Sequence, residues 1–597
     1  MGRPLKWLSH PGMQDIVTGN REQQKPLSWL DLQDAKRYQW RRYMRRTYYR
    51  PLGVVENLFD ADGALYCGRA DLHQNVRFEI RSSLSDEQLR ERIVLAWTVL
   101  QHDQVIMACA SRYLNELNGK CESSRWTEKC FVYNWPSSSG EAVADSCSQV
   151  EFVAGAYSDI DATEFYDHVM NSSRALDAHK ALSKLYVIPW QRTSRGTVML
   201  HFICVLAHQI VDGLTTFRWA KELTALLNAD SRTLRKKLDG LCASEENLFS
   251  RLPLAQEAYY PTRSHNRARE RWHWLITRIL RHAKTPPPAS FQNPLRRLEP
   301  LTRAQKFPST YHKILDYSQV PPLNSGRVSG DLCGRSVQNM RRLCKEAGIS
   351  IGSGLFTLVA MAMMEMEQRR HPGVPPQDRL PFVGSFPVNP RPFLAGEPST
   401  GSCMLAFSDG VTLPFLPRNL DFRGRFKLLG KQAHKQLRQY QKRKRSAEEE
   451  LHLGSRSPSQ LIPALYCSTL ERMENRAPED KKTGLNVQGL YPAKTSPTMA
   501  TCGISSVGDV STILKMPAVN LDQPGDKDLI AEFKGVSSCV RPRDGEFLVG
   551  ASGDQQHLGF LVAYDANAID PARAEEWKEL MVTMLDKDLF PGEMAKL

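Results

Sequence analysis

The chain has little cysteine for its length: thirteen in 597 residues, scattered, odd in number and without one C-x-x-C pair. That excludes a disulfide framework or a cage of paired thiolates for zinc, and it fits a reducing compartment. No apolar run is long enough to span a bilayer, and the opening MGRPLKWLSHPGMQD has no hydrophobic signal core. Lys6 stands where a myristoylation site would want Ser or Thr. Also missing are G-x-S-x-G, H-E-x-x-H, G-x-x-x-x-G-K-[ST] and any glycine-rich phosphate loop. The hydrolase elbow, the zinc proteases and the P-loop enzymes are thereby set aside, and no metal is expected.

What the chain does have is positive charge. Lys and Arg number 79 against 65 Asp and Glu, a formal surplus of +14. Such a surplus suits an anionic partner, whether a CoA phosphate, a nucleic acid or an acidic carrier protein, without choosing among them. The 41% hydrophobic and 24% charged content is that of a globular protein. The length allows two to four ordinary domains, or one large two-lobed enzyme.

The most organised stretch is Thr197 to Asn228. Val198 to Leu206 is apolar except for His201 and reads as a buried strand. Leu214, Phe217, Ala220, Leu223 and Leu227 recur at helical spacing. Between them lies Ala207-His208-Gln209-Ile210-Val211-Asp212-Gly213, which sets a His, an Asp and a Gly in a strand-to-helix turn. Catalytic groups are commonly mounted on such loops, held by rigid elements. His201 reads as core.

Taken in order, Lys36 to Arg50 carries seven basic residues interleaved with aromatics. Nucleic-acid binding is one reading of that pattern; a segment packing Tyr38, Trp40, Tyr43 and Tyr48 on the body is preferred, and no nucleic-acid partner is expected. Strand-like alternation is expected from residue 51 to about 80, then a helix opening at Ser85. A helix from Asp161 to Met170 and a strand near Leu185 to Trp190 precede the central stretch, and a basic helical stretch follows it to about His282. Pro286-Pro287-Pro288 begins a Pro-rich crossover to about Pro308. Beyond it we expect a strand at Tyr311 to Leu315, helices from near Ser336 and Ile351, and a basic helix over 425 to 445. Its end, Gln441 to Arg445, reads as a solvated face rather than a nuclear address. A surface loop over 474 to 498, a strand from Met499 to Leu514, a hairpin of Phe547 to Ser552 with His557 to Ala563, and a helix from Ala572 to Leu585 complete the chain. The domains read as a basic segment 1–50, an N-terminal lobe 51–285, a linker 286–308 and a C-terminal lobe 309–597.

The turn His208 to Gly213 resembles the H-x-x-x-D-G motif of the acyl-CoA-dependent acyltransferase superfamily. That group includes chloramphenicol acetyltransferase, the plant BAHD enzymes, peptide-synthetase condensation domains and fungal O-acetyltransferases such as the trichothecene enzymes. Val388-Asn389-Pro390-Arg391 resembles the strand whose Arg pairs with the motif Asp. Ser505-Ser506-Val507-Gly508 resembles the S-N-x-G crossing strand, and FLVAYDANAIDPARAEEWKELM the superfamily's end. The resemblance covers most of residues 51 to 590. Departures are the missing D-F-G-W-G of the plant branch and Ala207 where condensation domains have a first His. The fungal O-acetyltransferase branch fits best.

The resemblance implies an α/β fold of two chloramphenicol-acetyltransferase-like lobes, each a mixed sheet with helices, and a tunnel between them. It implies acyl transfer from acyl-CoA, a co-substrate with no bound cofactor, to an alcohol of secondary metabolism. His208 would be the general base, since imidazole can take the hydroxyl proton and return it to the leaving thiolate. Asp212 would pair with Arg391 or cap the following helix, Gly213 would let the chain turn sharply, and Ser505 or Ser506 would supply the oxyanion donor. Alternatives are a stand-alone condensation-type enzyme using a carrier-bound donor, and a non-catalytic binding protein on the same fold. A monomer with no membrane span is expected, in the peroxisome if the SKL-like Ala595-Lys596-Leu597 is used and otherwise in the cytoplasm.

Overall fold

The computed structural model describes residues 35–113, 129–260, 289–416, 420–441, 500–516, 519–522 and 527–586 apart from Cys333 and Gln555, with isolated positions outside those ranges. The expected loop over 474–498, the basic run beyond Gln441 and Ala595-Lys596-Leu597 lie outside the described residues.

Two six-stranded sheets organise the described chain. The first runs β16 (Leu529–Val540), β3 (Leu72–Ser82), β9 (Val198–Leu206), β7 (Ser183–Val187), β6 (Val150–Phe152), with β8 (Gln191–Arg192) beside β9. The second runs β10 (Ser325–Leu332), β18 (Leu558–Asp565), β17 (Phe547–Gly553), β15 (Cys502–Asp509), β11 (Phe382–Ser385), β14 (Val411–Leu413). Both are mixed: β6 is parallel to β7, and β15 is parallel to β17 and β11. A four-stranded sheet, β1 (Arg41–Met44), β2 (Thr47–Pro51), β5 (Lys129–Asn134), β4 (Ala110–Tyr113), and a two-stranded ribbon, β12 (Pro387–Val388) with β13 (Ala406–Phe407), complete the set.

Eleven α-helices are present among the described residues. The first half holds α1 (Val54–Leu65), α2 (Asp86–Asp103), α3 (Ser139–Cys147), α4 (Ala162–Asn171), α5 (Gly213–Leu227), α6 (Ser231–Ala243) and α7 (Glu245–Arg251). The second holds α8 (Arg335–Ala347), α9 (Ile351–Arg370), α10 (Phe422–Leu437) and α11 (Pro571–Thr583). The molecule is thus an α/β protein of two lobes, each built on a mixed sheet with helices and each with its own apolar core.

Local chemistry explains the boundaries. Ser85 caps α2 by accepting from the Gln88 N–H at 3.3 Å, while the Gln88 amide accepts from the Ser85 N–H at 2.9 Å. Asp161 caps α4 by accepting from the Thr163 and Glu164 N–H groups at 2.7 and 2.8 Å. Helix α9 is buried all round, not along one stripe, because it passes through the second core. No single described helix is long and apolar enough to cross a membrane.

Two expectations are corrected. Residues 54–65 form a helix, not strand-like alternation. Glu56 accepts from the Gly53 N–H at 2.6 Å at its start and holds the buried Arg50 guanidinium through two 2.8 Å bonds. Those two interactions outweigh the strand preference of Val54 and Val55. Residues 311–315 form a turn, with the N–H of Leu315 donating to the carbonyl of Tyr311 at 2.8 Å. The strand expected there lies later, at β10.

The basic segment packs on the body: Tyr38, Trp40, Tyr48 and Tyr49 are buried, and the Trp40 indole donates to the Pro253 carbonyl at 2.8 Å. Phe291 and Leu295 are buried in the second core, so the Pro-rich segment is packed over 291–295, while residues 298–300 are exposed. A strand of the second half also crosses back to the first sheet. Strand β16, from the second half, pairs antiparallel with β3 along its whole length, from Leu529 opposite Ser82 to Val540 opposite Leu72. A bulge at Gly535, whose φ of +150° favours glycine, interrupts that register. The outer edge of β16 is met by Asn228, whose amide exchanges two hydrogen bonds with the Ala531 backbone at 2.8 and 2.9 Å.

Candidate active site

Strand β9 ends at Leu206 and α5 begins at Gly213, so His208 stands on the turn between them, as expected. The turn is pinned at both ends. At its start the Ala207 N–H donates to the Leu182 carbonyl at 2.9 Å. At its end Asp212 is the N-cap of α5, one carboxylate oxygen accepting from the Leu214 and Thr215 N–H groups at 3.0 Å each. The other oxygen accepts from Arg391 at 2.7 Å and from the Met404 N–H at 3.0 Å. The two roles proposed for Asp212 as alternatives are therefore both filled. No hydrogen bond joins Asp212 to His208 among the described residues.

Arg391 sits just after β12 and is itself held. Its Nε donates to the Ser399 carbonyl at 2.8 Å and its Nη2 to the Ser402 carbonyl at 2.6 Å. Asp212 is buried and the Arg391 side chain nearly so, 3% and 11% exposed. Segment 399–404 is thus strapped across the N-terminus of α5. It brings Cys403 into a small apolar cluster with Val55, Phe59 and Ala70. Burial and the nearby Asp212 carboxylate hold the Cys403 thiol well above its ordinary range, which disfavours the thiolate.

The imidazole of His208 lies flat against the ring of Phe59 on α1, with centroids 3.8 Å apart and planes 2° from parallel. His208 is half-buried, and its Nδ1 is buried without a hydrogen-bond partner among the described residues. Burial pushes its pKa down to about 4, and the Arg543 guanidinium pushes the same way. Asp212 and the carbonyls of His208 and Val211 oppose them. At neutral pH the ring is uncharged and able to accept a proton.

Gly213 is exposed and takes no positive φ; it is the first residue of α5. The sharp turn does not depend on it, because the Asp212 cap makes the change of direction. A Cβ added there would meet only Val507, at 4.0 Å. That contact brings β15 of the second lobe against the α5 N-terminus. The pairing of β15 with β17 shifts register between Ser506 and Gly508, so Val507 stands at an irregularity of the strand, just after Ser505 and Ser506. Ser506 is exposed and Ser505 half-buried. His208, Asp212, Gly213 and Arg391 are therefore together, and Ser505 and Ser506 precede Val507 on the strand that faces Gly213. His201 is half-buried within β9, away from the turn.

Three elements escaped the sequence reading: Phe59, segment 399–404 and Arg543. Phe59 lay in a region taken for strand, and the strap works through backbone groups that carry no residue signature. Among the described residues no cluster of His, Cys, Asp and Glu is placed to hold a metal ion.

No family model matches the sequence, and no curated protein matches it either. The fold does match solved structures. The trichothecene 15-O-acetyltransferase TRI3 of Fusarium sporotrichioides superposes with a TM-score of 0.61 at 12% identity, over 92% of this chain and 98% of that one. Polyketide synthase associated protein 5 of Mycobacterium tuberculosis gives 0.49 at 13% identity, over 90% and 98%. The condensation domain of the monacolin K polyketide synthase MokA gives 0.48 at 11%, over 90% and 98%. At such identities likeness speaks for fold alone, and the first superposition carries it: the architecture is the two-lobed one of the chloramphenicol-acetyltransferase-like proteins.

Proposed function

We propose that this chain, which has the fold of a known O-acetyltransferase, transfers an acyl group from acyl-CoA to a hydroxyl of a small secondary metabolite. The observation that carries the reading is His208: an uncharged imidazole on a turn fixed at both ends, with a flat ring behind it and the neighbouring Gly213 open to solvent. In this reading Nε2 of His208 takes the proton of the acceptor hydroxyl as its oxygen attacks the thioester carbonyl. The tetrahedral oxyanion accepts a hydrogen bond from Ser505 or Ser506. Collapse expels the CoA thiolate, which takes the proton back from the imidazolium, and the ester leaves. No acyl-enzyme forms.

Asp212 and Arg391 hold the geometry without touching substrate. Thiol release from acetyl-CoA and longer acyl-CoAs, with a pool of terpenoid and polyketide alcohols, tests the proposal. Wild type should release CoA, and His208→Ala should lose ~10²–10⁴-fold in rate while still binding CoA. Release that is unchanged in His208→Ala, or an absence of both release and CoA binding, would overturn it.

A further inference from the structure

We infer that Arg543 is a positioning residue for His208 that acts through the Phe59 ring, an inference that rests on the proposed role of His208 as base. Phe59 is the wall against which the imidazole lies, and it is on α1, in a different part of the first lobe from the His208 turn. The orientation of that wall is set one helical turn further on. Asp62, three residues after Phe59 and therefore on the same side of α1, accepts from Arg543 at 2.7 and 3.0 Å and from Arg69 Nε at 2.8 Å. Its carboxylate is almost fully buried between the two guanidinium groups, 7% exposed.

The guanidinium carbon of Arg543 also lies 5.8 Å from the Phe59 ring centroid, within cation–π range. Phe59 is thus bracketed by the imidazole it supports and the cation that fixes its helix. Arg543 arrives there because it closely follows β16. Two residues earlier Arg541 donates to the carbonyls of Cys67, Val169 and Ser172 at 2.5, 2.8 and 2.9 Å, anchoring the chain as it leaves the sheet. The exchanged strand therefore delivers a side chain to the back of the candidate active site.

The arrangement does two things. The two Arg543 N–H groups that converge on Asp62 Oδ2 hold α1 so that the Phe59 plane stays parallel to the imidazole. The positive charge also disfavours the imidazolium. Asp62 is shared between two arginines, and the other acids near them, Asp544 and Glu546, approach Arg69 and Arg543 from the outer side at 3.4 and 3.8 Å. The charged groups that bear on the ring are Arg543 and Asp212 of its own turn, and α1 presents it with Phe59.

The test is carried out on the full-length protein with histidine labelled with ¹³C at Cε1, His208→Gln assigning the resonance among the fifteen histidines. Arg543→Gln removes the charge and the converging N–H pair; Arg543→Lys keeps the charge and loses that pair. Both should lose the ring-current shift that Phe59 imposes on His208, with kcat lowered ~10-fold and the acceptor KM unchanged. Only Arg543→Gln should raise the titration midpoint, by about one pH unit. Phe59→Leu should reproduce the lost ring-current shift with Arg543 intact. A wild-type ring-current shift and midpoint in folded Arg543→Lys and Arg543→Gln would overturn the inference, and if Arg543→Gln does not fold, a wild-type ring-current shift in Arg543→Lys alone does so. If instead His208→Ala still transfers acyl groups, the base assignment falls while the spectra still decide whether Arg543 positions the ring.

Discussion

Arg391 meets Asp212 at 2.7 Å across 179 residues of chain, and that contact joins the second lobe to the turn that carries His208. A buried pair of this kind is costly to break from one side, because the remaining charge keeps its burial and loses its partner. Arg391→Ala should lower stability by about 3–5 kcal/mol and reduce turnover by displacing the turn. Asp212→Asn, which can still cap α5, should cost less. Urea unfolding of the two variants checks the order; a larger loss in Asp212→Asn would mean that the unpaired Arg391 guanidinium costs more than the unpaired Asp212 carboxylate.

Gly213→Ala separates folding from chemistry. The position is helical with room for a methyl group, so stability should hold or rise by up to about 1 kcal/mol. If the site opens between Gly213 and Val507, the added methyl should raise the acceptor KM. An unchanged KM beside an unchanged melting temperature would place the acceptor elsewhere.

Asn228 closes the outer edge of β16 by imitating a neighbouring strand. Removing its amide leaves the Ala531 N–H and carbonyl without their partner, at about 1–3 kcal/mol. Asn228→Ala should show this loss in thermal unfolding, and faster amide exchange along β16 than along β7.

Acid should unfold the protein through buried histidines. Burial holds His73 down at about 3, His102 at about 4 and His208 at about 4, nearby arginines adding in each case. Between the ordinary value of 6.5 and those folded values, the unfolded chain binds protons that the folded chain refuses. Stability therefore rises with pH across that window, by at most about 1.4 kcal/mol per pH unit for each histidine, and is level above it. His102→Gln should flatten the dependence by about one histidine's share. The same shift on His208 predicts an acid limb of turnover near pH 4 rather than 6.5.

Much of this was legible in the sequence where the signal is local. The Ser85 and Asp161 caps, the apolar β9, the periodic α5 and the β17–β18 hairpin all depend on neighbours a few residues away. The pairing of Asp212 with Arg391 was legible only through family resemblance. What escaped depends on tertiary partners. Helix α1 hides its nature behind two β-branched residues and is stabilised by Arg50, outside the helix. The crossing of β16 to β3 leaves no mark on either strand: β3 alternates only beyond Val76, β16 not at all, and neither pattern names its partner.

That crossing also sets a timetable for the nascent chain. Ser82 and Asp528, hydrogen-bonded neighbours at the end of the β3–β16 ladder, are 446 residues apart. At ~5–20 residues per second, synthesis leaves the β3 edge waiting on the order of 20 to 90 s for its partner. During that interval Val76, Phe78 and Ile80 belong to a sheet whose last strand is still inside the ribosome or not yet made. A polypeptide stopped before residue 529 would lack both that strand and Arg543, so the N-terminal half should need a chaperone at its open edge and should not be obtainable as a separate soluble fragment.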